Sequence, residues 1–174
     1  DVYKRQTYLM TNRKPRVNKT EKNIGKWFEQ NIVAPAFKLL ARRQNMYYHR
    51  YLDMHAAGSH VPAAPADFEC LLRGLPILVE CKASIKNLSL VNCLADMVED
   101  HQCGSHRLWM AARGVSMFLF YSDQTRLVEF WSGMDVITAR AHGRPLAPAD
   151  KFGICKAEEL GAYFNTRMSV LKGS

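Results

Sequence analysis

Apolar and polar positions alternate most cleanly between Asp67 and Lys82. Counting by twos on either side of Arg73-Gly74, Phe68, Cys70, Leu72, Leu75, Ile77, Val79 and Cys81 form a wholly apolar set. The complementary set, Asp67, Glu69, Leu71, Pro76, Leu78, Glu80 and Lys82, carries all the charge. Side chains of a strand alternate between faces, so the pattern predicts a hairpin of two strands with one face on a core. A two-residue turn at Arg73-Gly74 pairs Leu72 with Leu75 and sets Asp67 opposite Glu80. A slip by one residue would drive an apolar side chain among the carboxylates.

Elsewhere the period lengthens. Ile24, Trp27, Phe28 and Ile32 recur at helical spacing and predict an amphipathic helix from about Asn18 to Leu40. Asn18 and Glu21 form a candidate capping box, and Pro35 is expected to break or kink the helix. Residues 45–53, with Met46, Tyr47, Tyr48 and Tyr51, predict a strand, and a loop with Gly58, Pro62 and Pro65 follows. Beyond Lys82 the pattern predicts a polar connection over 83–89, then helix over 90–113 in two pieces around Gly104. Strands are expected at 115–121 and 126–131 around a polar turn. A short helix at 134–141, a loop at 143–148 and a helix at about 156–168 complete the chain. The order predicts an α/β fold, a mixed β-sheet flanked by helices, without internal repeats.

Composition adds bounds. At 174 residues and 48% apolar, the chain suits one domain with a real core, expected over 21–174. No apolar run approaches the roughly 18 residues of a membrane span, and the start lacks the order of a secretory signal, so a soluble, intracellular protein is expected. Five cysteines without a CxxC pair read as reduced packing residues. The interval His101, Cys103, His106 lacks a fourth ligand for zinc, and Gly104 interrupts it. Trp27, Trp109 and Trp131 sit among apolar neighbours and read as core. No Walker loop or GxGxxG is present, which leaves nucleotide hydrolysis and dinucleotide binding without support.

The net charge is +8, and the first 22 residues hold seven Lys or Arg against two acids. Residues 1–20 therefore read as a basic arm, in which Arg13, Lys14, Arg16 and Lys19 are candidate phosphate contacts, favoured by counterion release. Residues 1–9 fit no element, and Asp1 to Gln6 resembles a translated sequencing-adapter scar; they are set aside.

Two opposed carboxylates repel unless a positive charge sits between them, and a hard divalent cation prefers such oxygens. A cation held by Asp67 and Glu80 would bind a phosphodiester oxygen and activate water, with Lys82 on the same face to stabilise charge. The competing reading is a surface ion pair on a hairpin. Glu29 lies beside the apolar stripe of its helix, and Arg50 is either a phosphate contact or a partner of Asp53.

These residues carry a resemblance. Asp67, twelve intervening residues, then Glu80-Cys81-Lys82, with Pro65 ahead, resembles the PD-(D/E)XK nuclease superfamily, and within it the RecU-type Holliday-junction resolvases of bacteria and phages. The similar stretch runs from Pro65 to Ile137 and includes the Arg-Gly turn, Lys86 to Leu90, the His101-Gln102 pair opening a helix, and two strands; Gly25 to Glu29 resembles the family's first helix. The resemblance implies a restriction-endonuclease-like core and a Mg2+-dependent DNA endonuclease, with Mn2+ as a possible substitute. It implies that Asp67, Glu80 and the Cys81 carbonyl bind the metal, that Lys82 is catalytic, that Glu29 is an accessory acid, and that Gln102 orients Lys82, water or phosphate. It further implies a homodimer that cleaves four-way junctions in recombination or repair, in the cytoplasm of a bacterial or phage-infected cell. Other members of the superfamily, restriction-like or flap-cutting, and a non-catalytic DNA-binding recombination protein of the same fold are the alternatives.

Overall fold

The computed structural model describes residues 21–43, 46–51, 63–85 and 97–172. Two α-helical segments, α1 (Glu21–Phe28) and α2 (Ala34–Arg43), are joined by a π-helical turn over Glu29–Val33. The break expected near Pro35 is thus a widening one turn earlier. Proline cannot donate to the carbonyl four residues back and its ring crowds it. The π turn shifts the pairing, and the Ala34 N–H donates to the Glu29 carbonyl. Asn18, half of the expected capping box, lies outside the described residues, and the helix continues three residues past Leu40 to Arg43.

After β1 (Met46–Arg50) come β2 (Phe68–Leu72) and β3 (Leu75–Ser84). The predicted register holds, from Phe68 opposite Val79 to Leu72 opposite Leu75. Arg73 (φ 52°) and Gly74 (φ 84°) both take positive φ, as a two-residue type I′ turn demands. Arg73 is held there by Ser169 Oγ (2.9 Å) and Asn165 Oδ1 (3.3 Å). The strand β3 continues through Ala83 and Ser84, which the sequence pattern assigns to a polar connection; both are buried, so they belong to the sheet.

Then follow α3 (Asp100–Ala111), β4 (Val115–Ser122), β5 (Leu127–Ser132), α4 (Gly133–Ala141), β6 (Lys151–Lys156) and α5 (Leu160–Lys172). Gly104 does not divide α3: it lies inside a continuous helix, where one glycine costs only about 1 kcal/mol against the packing of its neighbours. The strand β6 is unanticipated, and the last helix begins at Leu160 after a 3-10 turn, Ala157–Glu159, instead of at Lys156.

The six strands lie in the order β1 to β6, and every neighbouring pair is antiparallel except β3 and β4. Parallel neighbours need a crossover, and the connection that contains α3 supplies it. The fold is therefore α/β, a mixed six-stranded sheet with helices on both faces. One face packs Ile24, Phe28, Phe37 and Leu40 of the first helices and Phe164 and Met168 of α5 against Phe68, Ile77, Val79, Leu119 and Tyr121. The other packs Cys103, Val136 and Ile137 of α3 and α4 against Phe118, Phe120 and Trp131. Trp27 packs against the first core and Trp131 lies wholly within the second, as expected of both. Among the described residues no helix is long and apolar enough to cross a membrane.

Candidate active site

Asp67 immediately precedes β2, and Glu80 and Lys82 stand near the end of β3. Hairpin pairing ends at Phe68 and Val79, so Asp67 stands just beyond the ladder. Its Oδ2 accepts the Cys81 N–H at 2.7 Å, taking the place of a missing rung. In an antiparallel ladder a residue's N–H and C=O face the same neighbour, so the Cys81 carbonyl opens toward Asp67.

Glu80 is only 1% exposed. Its Oε1 receives the Lys82 ammonium at 2.8 Å and a hydrogen bond from Gln102 Nε2. Gln102 Oε1 in turn accepts from Lys82 Nζ (3.1 Å) and from the Glu99 N–H (3.0 Å), the second bond belonging to a capping box that opens α3. One glutamine thus fixes the acid, the lysine and the start of the helix. Glu80 Oε2 is buried and has no hydrogen-bond partner among the described residues.

Glu29 arrives from the other side of the sheet. Phe28, stacked on Tyr121 with ring centroids 5.0 Å apart, pins the helix where the π turn begins. Glu29 accepts a hydrogen bond from Arg50 at 2.9 Å, and neither side chain is more than 22% exposed. Arg50 therefore has Glu29 as its carboxylate partner; Asp53, the partner the sequence offered, lies outside the described residues.

The electrostatics follow from this crowding. Burial pushes the Asp67 carboxyl well above its ordinary value, and the Glu80 and Glu29 charges push it further, against the opposing Cys81 N–H and Lys82. Glu80 is raised too, mainly by burial, with Lys82 as the principal counterweight. Burial also raises the Cys81 thiol, which disfavours a thiolate nucleophile.

A divalent cation fits these donors. Two carboxylates raised by burial, one of which keeps a buried oxygen without a hydrogen-bond partner, are the donor chemistry that a hard cation takes. Among the described residues no group of three or more His, Cys, Asp or Glu side chains is arranged to hold a metal ion; Mg2+ commonly takes only one or two carboxylates and fills its shell with water and substrate phosphate.

Two supporting residues were not legible as such. His106, one turn after Gln102, is fully buried, stacks on Phe118 and shares a 2.6 Å hydrogen bond with Ser116 Oγ. Gly133 lets α4 start directly against Ser116, for a Cβ there would lie 1.7 Å from the hydroxyl oxygen. This contact seats α3, and hence Gln102, on the sheet. The helical interval from Gln102 to His106 was the available signal, but it does not say what lies beneath. Of the interval His101, Cys103, His106, His101 pairs with Glu99 at 3.2 Å, His106 bonds Ser116 and Cys103 packs in the second core. Of the remaining expected contacts, Arg13, Lys14, Arg16 and Lys19 lie outside the described residues.

Burial, aided by Lys82, pushes His106 down from 6.5 to about 4. The folded state then binds fewer protons than the unfolded state within that window, so stability is complete above 6.5 and falls as the pH drops toward 4. Relative to His106→Asn, which does not titrate, the wild type should lose about 3 kcal/mol across the window. Denaturant midpoints of both proteins at several pH values measure this; parallel curves would contradict it.

Comparison with protein-family models found no match, and comparison with curated proteins found none either.

Proposed function

We propose that this protein is a Mg2+-dependent DNA endonuclease with a restriction-endonuclease-like core of the PD-(D/E)XK type, acting as a RecU-like resolvase of four-way junctions. The observation that carries the proposal is the buried, partnerless Glu80 Oε2, with Asp67 held beside the same strand and Lys82 clamped to the other oxygen of Glu80. A surface ion pair would not explain it, because such a pair is solvated and Glu80 is not.

When bound, Mg2+ supplies charge to a phosphate oxygen and lowers the pKa of a coordinated water. Asp67, Glu80 and the Cys81 carbonyl would hold it. In the reaction a water oxygen bonds to phosphorus, one P–O ester bond breaks, and the leaving oxygen gains a proton. Negative charge grows on the phosphoryl oxygens. Lys82 has three donors, of which two, directed at Glu80 and Gln102, hold the ammonium in place, and the third, with no acceptor among the described residues, would serve a phosphoryl oxygen or the attacking water. Gln102 keeps this geometry from collapsing into a simple Lys–Glu pair. Glu29, tied to Arg50, adds negative potential that favours a cation, and Arg50 favours phosphate. Symmetric cutting of two strands calls for two such sites, hence a homodimer.

The test is cleavage of a synthetic four-way junction and a linear duplex of the same sequence, in Mg2+, in Mn2+ and in chelator. Paired cuts in the junction, only with a divalent cation, are expected. Equal cutting of the linear duplex would remove the junction preference and leave another nuclease of the superfamily; no cutting of either would leave the non-catalytic DNA-binding reading.

A further inference from the structure

The sheet face that carries Glu80 and Lys82 is covered unevenly. Helices α3 and α4 pack on β4 and β5, and no described helix covers its β1–β2 half. Residues paired across a ladder point to the same face. Tyr47 opposes Leu71, His49 opposes Glu69, and Glu69 opposes Leu78, two residues before Glu80. Tyr51 extends the row, since its N–H donates to the Asp67 carbonyl at 2.9 Å. The open half is aromatic: Tyr47 is 62% and Leu71 45% exposed, His49 is exposed, and Tyr51 is half-buried. His49 and Tyr51 meet edge to face with centroids 4.7 Å apart.

We propose that Tyr47, His49 and Tyr51 form a stacking surface for unpaired bases of the DNA strand entering the site. This rests on the nuclease reading and specifies what that site admits. Three observations select the occupant. The rings lie on the catalytic face, and Tyr51 is bonded directly to Asp67, so the surface is continuous with the place where a phosphodiester would sit. The described face of β1 and β2 offers rings and the Glu69 carboxylate, with no lysine or arginine, so it favours bases over phosphates. The His49 and Tyr51 rings touch edge to face, so they act as one platform beside the exposed Tyr47 ring. A base reaches a ring face on either of these only when it is drawn out of the duplex stack, where its own neighbours already cover it.

A second copy of the chain is a poorer occupant, because three rings and one leucine around a carboxylate fall short of the roughly 800 Å² per partner of a stable interface. The Tyr51 hydroxyl donates to Glu69 Oε2 at 2.8 Å, and burial with this neighbour raises its pKa to about 12. The ring stays neutral and fixed. Stacking on such rings tolerates any base.

Binding of the full chain is measured in chelator, so that nothing is cut, to a duplex, to the same duplex with an unpaired central tract, and to a single strand. Tyr47→Ala and His49→Ala should each weaken binding of the two unpaired DNAs by about tenfold and leave duplex binding within about twofold. Tyr47→Phe, which keeps the ring, should bind like wild type. A 2-aminopurine in the unpaired tract should lose emission on binding wild type and not on binding Tyr47→Ala. Equal losses on duplex and unpaired DNA, or no loss, would overturn the stacking surface while leaving junction cleavage by wild type intact. Failure of wild type to bind either unpaired DNA would overturn the stacking surface, while the nuclease reading, which rests on Mg2+, is judged separately by junction cleavage in Mg2+.

Discussion

Lys82→Ala and Asp67→Asn are each expected to lower phosphodiester cleavage by at least about 10²-fold while the protein still binds DNA. The two losses should differ in kind. On the proposed reading Asp67→Asn removes a cation ligand, so raising the Mg2+ concentration should recover part of the rate. On the same reading Lys82→Ala removes a donor aimed at developing charge, which no concentration of Mg2+ should replace. It also strips Glu80 of its principal counterweight, so the acid's pKa should climb and cleavage should need a higher pH. Breaking a buried ion pair costs about 3–5 kcal/mol, so the comparison is made on protein shown by circular dichroism to be folded. Lys82→Arg keeps the charge but not the compact ammonium held by Gln102, and it should recover stability more fully than activity. Full cleavage by Asp67→Asn or Lys82→Ala would overturn the assignment of the site.

The second large effect has the opposite sign. Without metal, Asp67→Asn should be more stable than wild type near neutral pH, by about 1–2 kcal/mol or a few degrees in Tm. Because the folded-state pKa of Asp67 lies above its unfolded value, the folded protein binds more protons between the two, and stability falls as the pH rises through that window. Asparagine does not titrate and can still accept the Cys81 N–H, so the gap between the proteins should be small in acid and widen upward. Adding Mg2+ should reverse the ranking, since a cation that binds only the folded state raises the wild-type Tm and has little purchase on the variant. Thermal melts across pH, with and without Mg2+, measure both effects. Identical Mg2+ shifts in the two proteins would show that Asp67 is not a ligand.

Much of the hairpin was legible because its physics is local. A period-2 pattern, a glycine at a turn needing positive φ, and the penalty for placing apolar groups among carboxylates fix one register, which the structure has. The errors arose where local preference yields to packing. Gly104 reads as a break, but α3 is held by Cys103 and His106 beneath it. The strand β6 escaped notice because Lys151, Gly153 and Lys156 dilute its apolar positions, and pairing with β5, aided by the 2.9 Å Lys151–Glu129 bond, supplies what propensity does not.

From the sequence alone came the pair Asp67 and Glu80, the neighbouring Lys82 and the apolar face behind them, since strand alternation allows few other arrangements. Only the tertiary structure decided that β3 and β4 run parallel, that Gln102 clamps Glu80 and Lys82, that Glu29 reaches the site bound to Arg50, and that one oxygen of Glu80 is buried without a partner. These depend on contacts between residues about 20 or more apart in the chain, whose proximity follows from how helices seat on the sheet. The aromatic row of β1 is of the same kind: the sequence supplies the rings, and the uneven cover of helices leaves them open beside the carboxylates.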